Sequence, residues 1–266
     1  LTTCRALLHI DALFMSDDIN PYAPPSAEIP SAPADPLKTT TLLARGWKLY
    51  RANFLLITII VTIVWLPCDI LSSYMDNFVF SEDEYMRSMK FSQFLENFFG
   101  IIATASVLSI ALQKTSDGTA SLGQALGAGF TLWPKMWWTG FLSGLVLIIS
   151  FLLLVVPFFI IFPRLLLTES VVVAEHESGT SAIRRSYDLS RGCYWPLFRL
   201  IIVVSLIVFL AAMALVSIPD LIPGLDHWLV DAVFYVLSDI AAAYEAVVLY
   251  CAYQACLLRQ NMTGPA

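Results

Sequence analysis

Between Trp137 and Ala174 lie 38 residues whose only charges are Arg164 and Glu169. As a single helix this run would be about 57 Å long, against a bilayer hydrocarbon core of about 30 Å. It is too long to cross once, so it has to fold back on itself. The expected reversal is at LLLVVPFFIIFP, where Pro157 lacks a backbone donor and disfavours helical geometry in the residue before it. Four more apolar runs, 53 to 75, 93 to 113, 197 to 218 and 231 to 258, each reach spanning length. The fold class expected is therefore all-α: a polytopic transmembrane helix bundle with six spans. Composition agrees, because 58% of the residues are hydrophobic and 14% charged, with a mean hydropathy of +0.74, whereas soluble domains carry roughly 25% charged residues.

The distribution of basic residues supports the same split. With the amino end inside, the inner segments carry Arg45, Lys48 and Arg51, then Lys114 and Lys135, then Arg184, Arg185, Arg191 and Arg199, and finally Arg259. The outer segments hold only Arg87 and Lys90, set among acids. This positive-inside bias predicts a bacterial inner-membrane, multi-pass protein with both termini cytoplasmic. The net charge of −6 lies mostly in loops and in the first 40 residues, so nucleic acid is not an expected partner. Membrane lipids are, with further copies of the chain or other membrane proteins as the remaining candidates.

Residues 1–40 read as a disordered Pro/Ala/Ser-rich segment, and MSDDINPYAPPSAEIPSAPADP suggests a natural start at Met15. ALLHIDALF is short and broken by His9 and Asp11, so a signal peptide is not expected. Residues 41–258 form the six-span membrane domain and 259–266 a short cytoplasmic tail.

Three windows, each ahead of a hairpin of spans, stack column by column: TLLARGWKLYRANFLL, QALGAGFTLWPKMWWT and SAIRRSYDLSRGCYWP. Aliphatic residues align (Leu43, Leu126, Ile183), then small ones (Gly46, Gly129, Ser186), aromatics (Trp47, Phe130, Tyr187), leucines (Leu49, Leu132, Leu189) and second aromatics (Phe54, Trp137, Tyr194). The reading is an internal threefold repeat, each unit an amphipathic interfacial helix followed by a transmembrane hairpin. Apolar residues every three or four positions give each helix one greasy face, and aromatic rings favour the headgroup level.

Ionisable residues inside spans are expensive and are functional candidates for that reason. The polar cluster expected here is Arg164 and Glu169 in the fourth span with Asp239 and Glu245 in the sixth. Comparable depth suggests an ion pair of Arg164 with Asp239 and Glu245 drawn in; the alternative is that each group snorkels or sits in a structural hydrogen-bond cluster. Gly140 with Gly144, and Ala242 with Ala246, are small-residue pairs expected to let helices approach closely.

No catalytic constellation is recognisable. His9 and His227 lack neighbouring ligands, and His176 between Glu175 and Glu177 cannot point all three side chains at one ion from a helix. The five cysteines are single, without CxxC spacing, and read as small core fillers. No metal, cofactor or enzymatic activity is expected.

The window VVVAEHESGTSAIRRSYDLSRGCYWPLF resembles the signature of a bacterial six-span family, the membrane domain of glycerophosphoryl diester phosphodiesterase and related uncharacterised inner-membrane proteins. The matching residues are Glu175, at the end of the fourth span, and Ala182, Arg185, Ser186, Leu189, Gly192 and Trp195, leading into the fifth. In phosphodiesterase members the chemistry resides in a separate soluble barrel, so the resemblance implies a fold and a location rather than hydrolysis. Glu175 either caps the following helix or pairs with Arg185. The functional expectation is a structural, regulatory or lipid-interacting membrane module; a small transporter using the intramembrane charges is second, and a lipid-related enzyme third.

Overall fold

The computed structural model describes residues 37–80, 85–116, 118–153, 155–222 and 227–263; the expectations for residues 1–36 lie outside them. Among the described residues the chain is helical throughout and has six helices long and apolar enough to cross a membrane. The amphipathic helix α1 (Thr39–Ala52) precedes α2 (Phe54–Phe78), the first span. The second span joins α3 (Tyr85–Leu95), a π-helical turn at Glu96–Gly100, and α4 (Ile101–Ser116). The third is α5 (Leu122–Leu153). The fourth is built from α6 (Val155–Leu165) and α7 (Thr168–Glu175). A short amphipathic helix, α8 (Thr180–Leu189), leads into the fifth span, α9 (Tyr194–Val216). After α10 (Ile218–Leu221) the sixth span, α11 (Trp228–Thr263), closes the bundle.

The first, third and fifth spans lie outside, and the second, fourth and sixth touch one another at the centre. The three interfacial segments each press a small residue onto one of those inner spans. Gly46 abuts Val248 of α11, and Gly129 abuts Ser106 and the Ile102 carbonyl of the second span; a Cβ at either position would collide. Ser186 donates a 2.7 Å hydrogen bond to the Arg164 carbonyl at the end of α6. Leu42, Ala125 and Ala182, four residues ahead of these in each window, are fully buried. The aromatics Trp47, Phe130 and Trp137 are instead half exposed, as rings at a membrane boundary would be.

The boundary between the third and fourth spans falls within LLLVVPFFIIFP, as expected, but α5 ends at Leu153 and α6 begins at Val155, so Pro157 lies in the first turn of α6 rather than at the break; there its missing N–H has no intrahelical partner to lose. One expectation needs correction. The middle interfacial segment is not a separate helix but runs directly into its span within α5. Asn53 and Cys193, in equivalent columns of the outer two windows, have non-helical backbone (φ −119°, ψ 17° and φ −108°, ψ 5°). The residue in that column of the middle window, Met136, is helical, so nothing breaks the chain there.

The end of the bundle near Glu175 is tied by charge. Glu175 accepts hydrogen bonds from Arg185 Nε (2.8 and 3.1 Å) and from the Tyr253 hydroxyl (2.9 Å), while Arg185 Nη1 donates to Gln260 Oε1 (3.1 Å). Of the two roles open to Glu175, pairing with Arg185 is the one the fold uses, and it locks α7, α8 and α11 together. The other residues of the same motif serve this junction. Ala182 and Leu189 are buried, and Gly192 takes φ +78° with its carbonyl accepting from Arg259 (3.0 Å); Trp195 projects outward at 66% exposure.

Candidate functional site

The inner spans are irregular where a regular helix would be cheapest. In the second span the π-helical turn Glu96–Gly100 adds a residue to the ladder. The Phe98 carbonyl in that turn accepts a 2.7 Å hydrogen bond from Trp133 Nε1, and Gly100 lets the Trp65 ring approach. In the fourth span the helix breaks between Leu165 and Thr168. Disrupted backbone at membrane depth is tolerated where protein surrounds it or where it lines a cavity, and π turns recur at functional sites.

Both irregularities border cavities. The first, of about 340 Å³, is lined by Asp69, Asp76, Glu96 and Asp239 together with Ser72 and Ser92. It shares Trp65, Glu96 and Asp239 with a second of about 300 Å³, which reaches Asn97 and Glu169. The second shares Asn97, Ile101 and Glu169 with a third of about 530 Å³ beside α5. Each inner span thus contributes a carboxyl group to the lining of these neighbouring cavities: Glu96, Glu169 and Asp239. No Lys, Arg or His is among the residues lining any of the three.

Depth along the helices places these groups near the middle of the bundle. Counting from the ends where α2 finishes and α11 begins, Asp69 and Asp239 lie about 14 and 16 Å in, and Glu96 about 15 Å from the start of its span. Asp69 and Asp239 meet at hydrogen-bonding range, with Glu96 close enough to interact with Asp239. Glu169 sits deeper, within electrostatic reach of Glu245, whose Oε1 accepts from Ser205 (2.9 Å). Its side chain is exposed although α7 packs among the other helices, because it faces the cavity. Among the described residues, no three ligating side chains gather as a metal site. The carboxyl groups are strung out rather than focused on one point.

The arrangement departs from the ion pair expected of Arg164 and Asp239. Arg164 lies at the end of α6 with its guanidinium 4.4 Å from the centre of the Tyr187 ring, a cation–π contact that turns it toward α8. Asp239 faces Asp69 instead. Glu169, Asp239 and Glu245 do line or border the same seam. Asp69 and Glu96 were missed, although both stand inside apolar runs and the rule that singled out the other four applies to them equally.

Unsatisfied polar atoms mark the same region. Asp69 Oδ2, Ser143 Oγ and Thr168 Oγ1 are buried without a hydrogen-bond partner in the protein, and all three residues line these cavities. The Gly140 and Gly144 pair, expected to seat a neighbouring helix, faces open space: nothing lies within 4 Å of a Cβ placed at either. These glycines form a cavity wall.

The class of protein this defines is an all-α bundle with, among the described residues, six helices of membrane-crossing length and acid-lined cavities bordered by its inner spans. Residues 91–260, more than half of the chain, match the family described as "Domain of unknown function (DUF7847)", and the chain belongs to that family. The family's function is unknown, and the match shows no link to the phosphodiesterase membrane domain. No curated protein and no solved structure matches the chain.

Proposed function

We propose that this chain is a multi-pass protein of a bacterial cytoplasmic membrane, with both ends on the cytoplasmic side, that binds and moves protons or cations along its acidic seam. One observation carries the reading: Glu96, Glu169 and Asp239, from the three inner spans, line adjoining cavities with no basic side chain among the described residues that line them. A carboxylate held at membrane depth without a counter-charge costs about 3 kcal/mol or more, and uptake of a proton or a cation removes that cost. A bundle serving only as scaffold gains nothing from several such groups facing a cavity.

The role proposed is not enzymatic. The positive-inside distribution of Arg and Lys supports the orientation. The recurring contacts of Gly46, Gly129 and Ser186 with inner spans support common descent of the three units. The likeness of the Glu175–Trp195 segment to the phosphodiesterase membrane domain supports a membrane module without hydrolysis. A second reading, as a structural module, is favoured by the Glu175, Arg185 and Tyr253 junction, whose polar groups are well satisfied and which lines none of the cavities.

The test is flux in proteoliposomes holding an imposed cation gradient and an internal pH dye. Wild-type protein is expected to dissipate the gradient, and Asp239→Asn to reduce the rate by about tenfold or more, the effect of removing one charged group worth at least 1.4 kcal/mol. Equal rates in wild-type, variant and protein-free vesicles, across proton, alkali-cation and ammonium gradients, would refute transport.

A further inference from the structure

We propose that the groove between α5 and α7 binds an amphiphile with a primary ammonium head group and an apolar chain, entering from the leaflet at the Glu175 end of the bundle. This inference rests on reading Glu169 as a cation-binding carboxylate, and it adds a ligand class to that reading.

The groove is the third cavity, of about 530 Å³, within the range of small-molecule sites. Its long wall runs from Gly140 to Ile148, about 12 Å of helix. Phe141, Leu145 and Ile148 line it and are 44 to 58% exposed, so the groove opens onto the apolar outer surface rather than onto an aqueous end. Gly140 and Gly144 keep it open, since no other part of the chain comes within 4 Å of where their side chains would stand.

The polar end of the groove is built. Glu169 supplies a carboxylate. Its side chain is exposed there, while the unpartnered hydroxyls of Thr168 and Ser143, on residues of the same wall, are buried away from the open space. A primary ammonium has three N–H donors and no acceptor, and an ionised carboxylate has acceptors only, so the two match in both charge and hydrogen bonding. A quaternary ammonium has no N–H to offer the carboxylate, an alcohol brings no charge for Glu169, and a sulfate or phosphate is repelled by it.

The experiment is equilibrium binding of radiolabelled dodecylamine to the full chain in phosphatidylcholine nanodiscs, with empty nanodiscs subtracted. A saturable component is expected, competed by unlabelled dodecylamine but not by dodecanol or dodecyl sulfate. Glu169→Gln should weaken it by at least about tenfold, as loss of a charged hydrogen-bond partner does. Gly144→Leu, whose side chain would enter open space rather than the packed bundle, should abolish it while thermal unfolding stays unchanged. No saturable component, or one unaffected by Gly144→Leu, would overturn the proposal. So would a wild-type dimer that Gly144→Leu converts to monomer without any amine binding, because the groove would then be a helix-packing surface. Amine binding without gradient dissipation would refute transport alone, and dissipation without amine binding would refute this ligand class alone.

Discussion

Two groups of acids in this bundle have opposite surroundings. At the Glu175 end, a carboxylate meets Arg185 and Tyr253 at 2.8 to 2.9 Å and joins three helices. In the middle, Asp69, Glu96, Glu169 and Asp239 line cavities with no basic residue among the described lining, and the helices carrying Glu96 and Glu169 are irregular there. The first arrangement uses charge to fix structure. The second leaves carboxyl groups at membrane depth with no basic residue among the described cavity lining, which is costly to stability.

The comparison can be broken by mutation. The largest effect on folding is expected at the junction. Glu175→Gln removes the charge opposite Arg185 and should cost about 2 to 3 kcal/mol, read as a lowered unfolding midpoint in detergent. A protein as stable as wild type would show that the junction does not hold the helices. Gly129→Ala comes next, at about 1 to 2 kcal/mol for overpacking, since its Cβ would meet Ser106 and the Ile102 carbonyl. The smallest effect is expected in the seam, where Asp69→Asn or Glu169→Gln should shift stability by no more than about 0.5 kcal/mol. A large loss there would mean that these carboxyl groups are structural.

The architecture was legible because run length is a direct physical constraint. A 38-residue apolar run is too long to cross once, and the structure divides it into two spans after Leu153. The small-residue column of the three windows was visible in the sequence, but that Gly46, Gly129 and Ser186 each meet an inner span was not. Partner choice was not legible. Whether Arg164 meets Asp239 or Tyr187 depends on how α6 and α11 are rotated about their axes, which depth along the chain does not determine. Gly140 and Gly144 have the spacing of a packing motif, yet spacing does not say whether a helix lies opposite. The π turn at Glu96 leaves no mark in a helical pattern. Asp69 and Glu96 were readable as charges within apolar runs; their convergence with Asp239 was not, because it depends on three spans meeting at one depth.

The central claim is that the seam carboxyl groups hold exchangeable protons or cations while Glu175 is locked in its ion pair. Labelling the membrane-embedded protein with dicyclohexylcarbodiimide, which reacts with protonated carboxyl groups in apolar surroundings, and mapping the adducts by peptide mass spectrometry tests it directly. The account predicts adducts at Glu169, Glu96 or Asp239, suppressed by added cations, and none at Glu175. Labelling confined to Glu175, or a seam that resists the reagent, would contradict it.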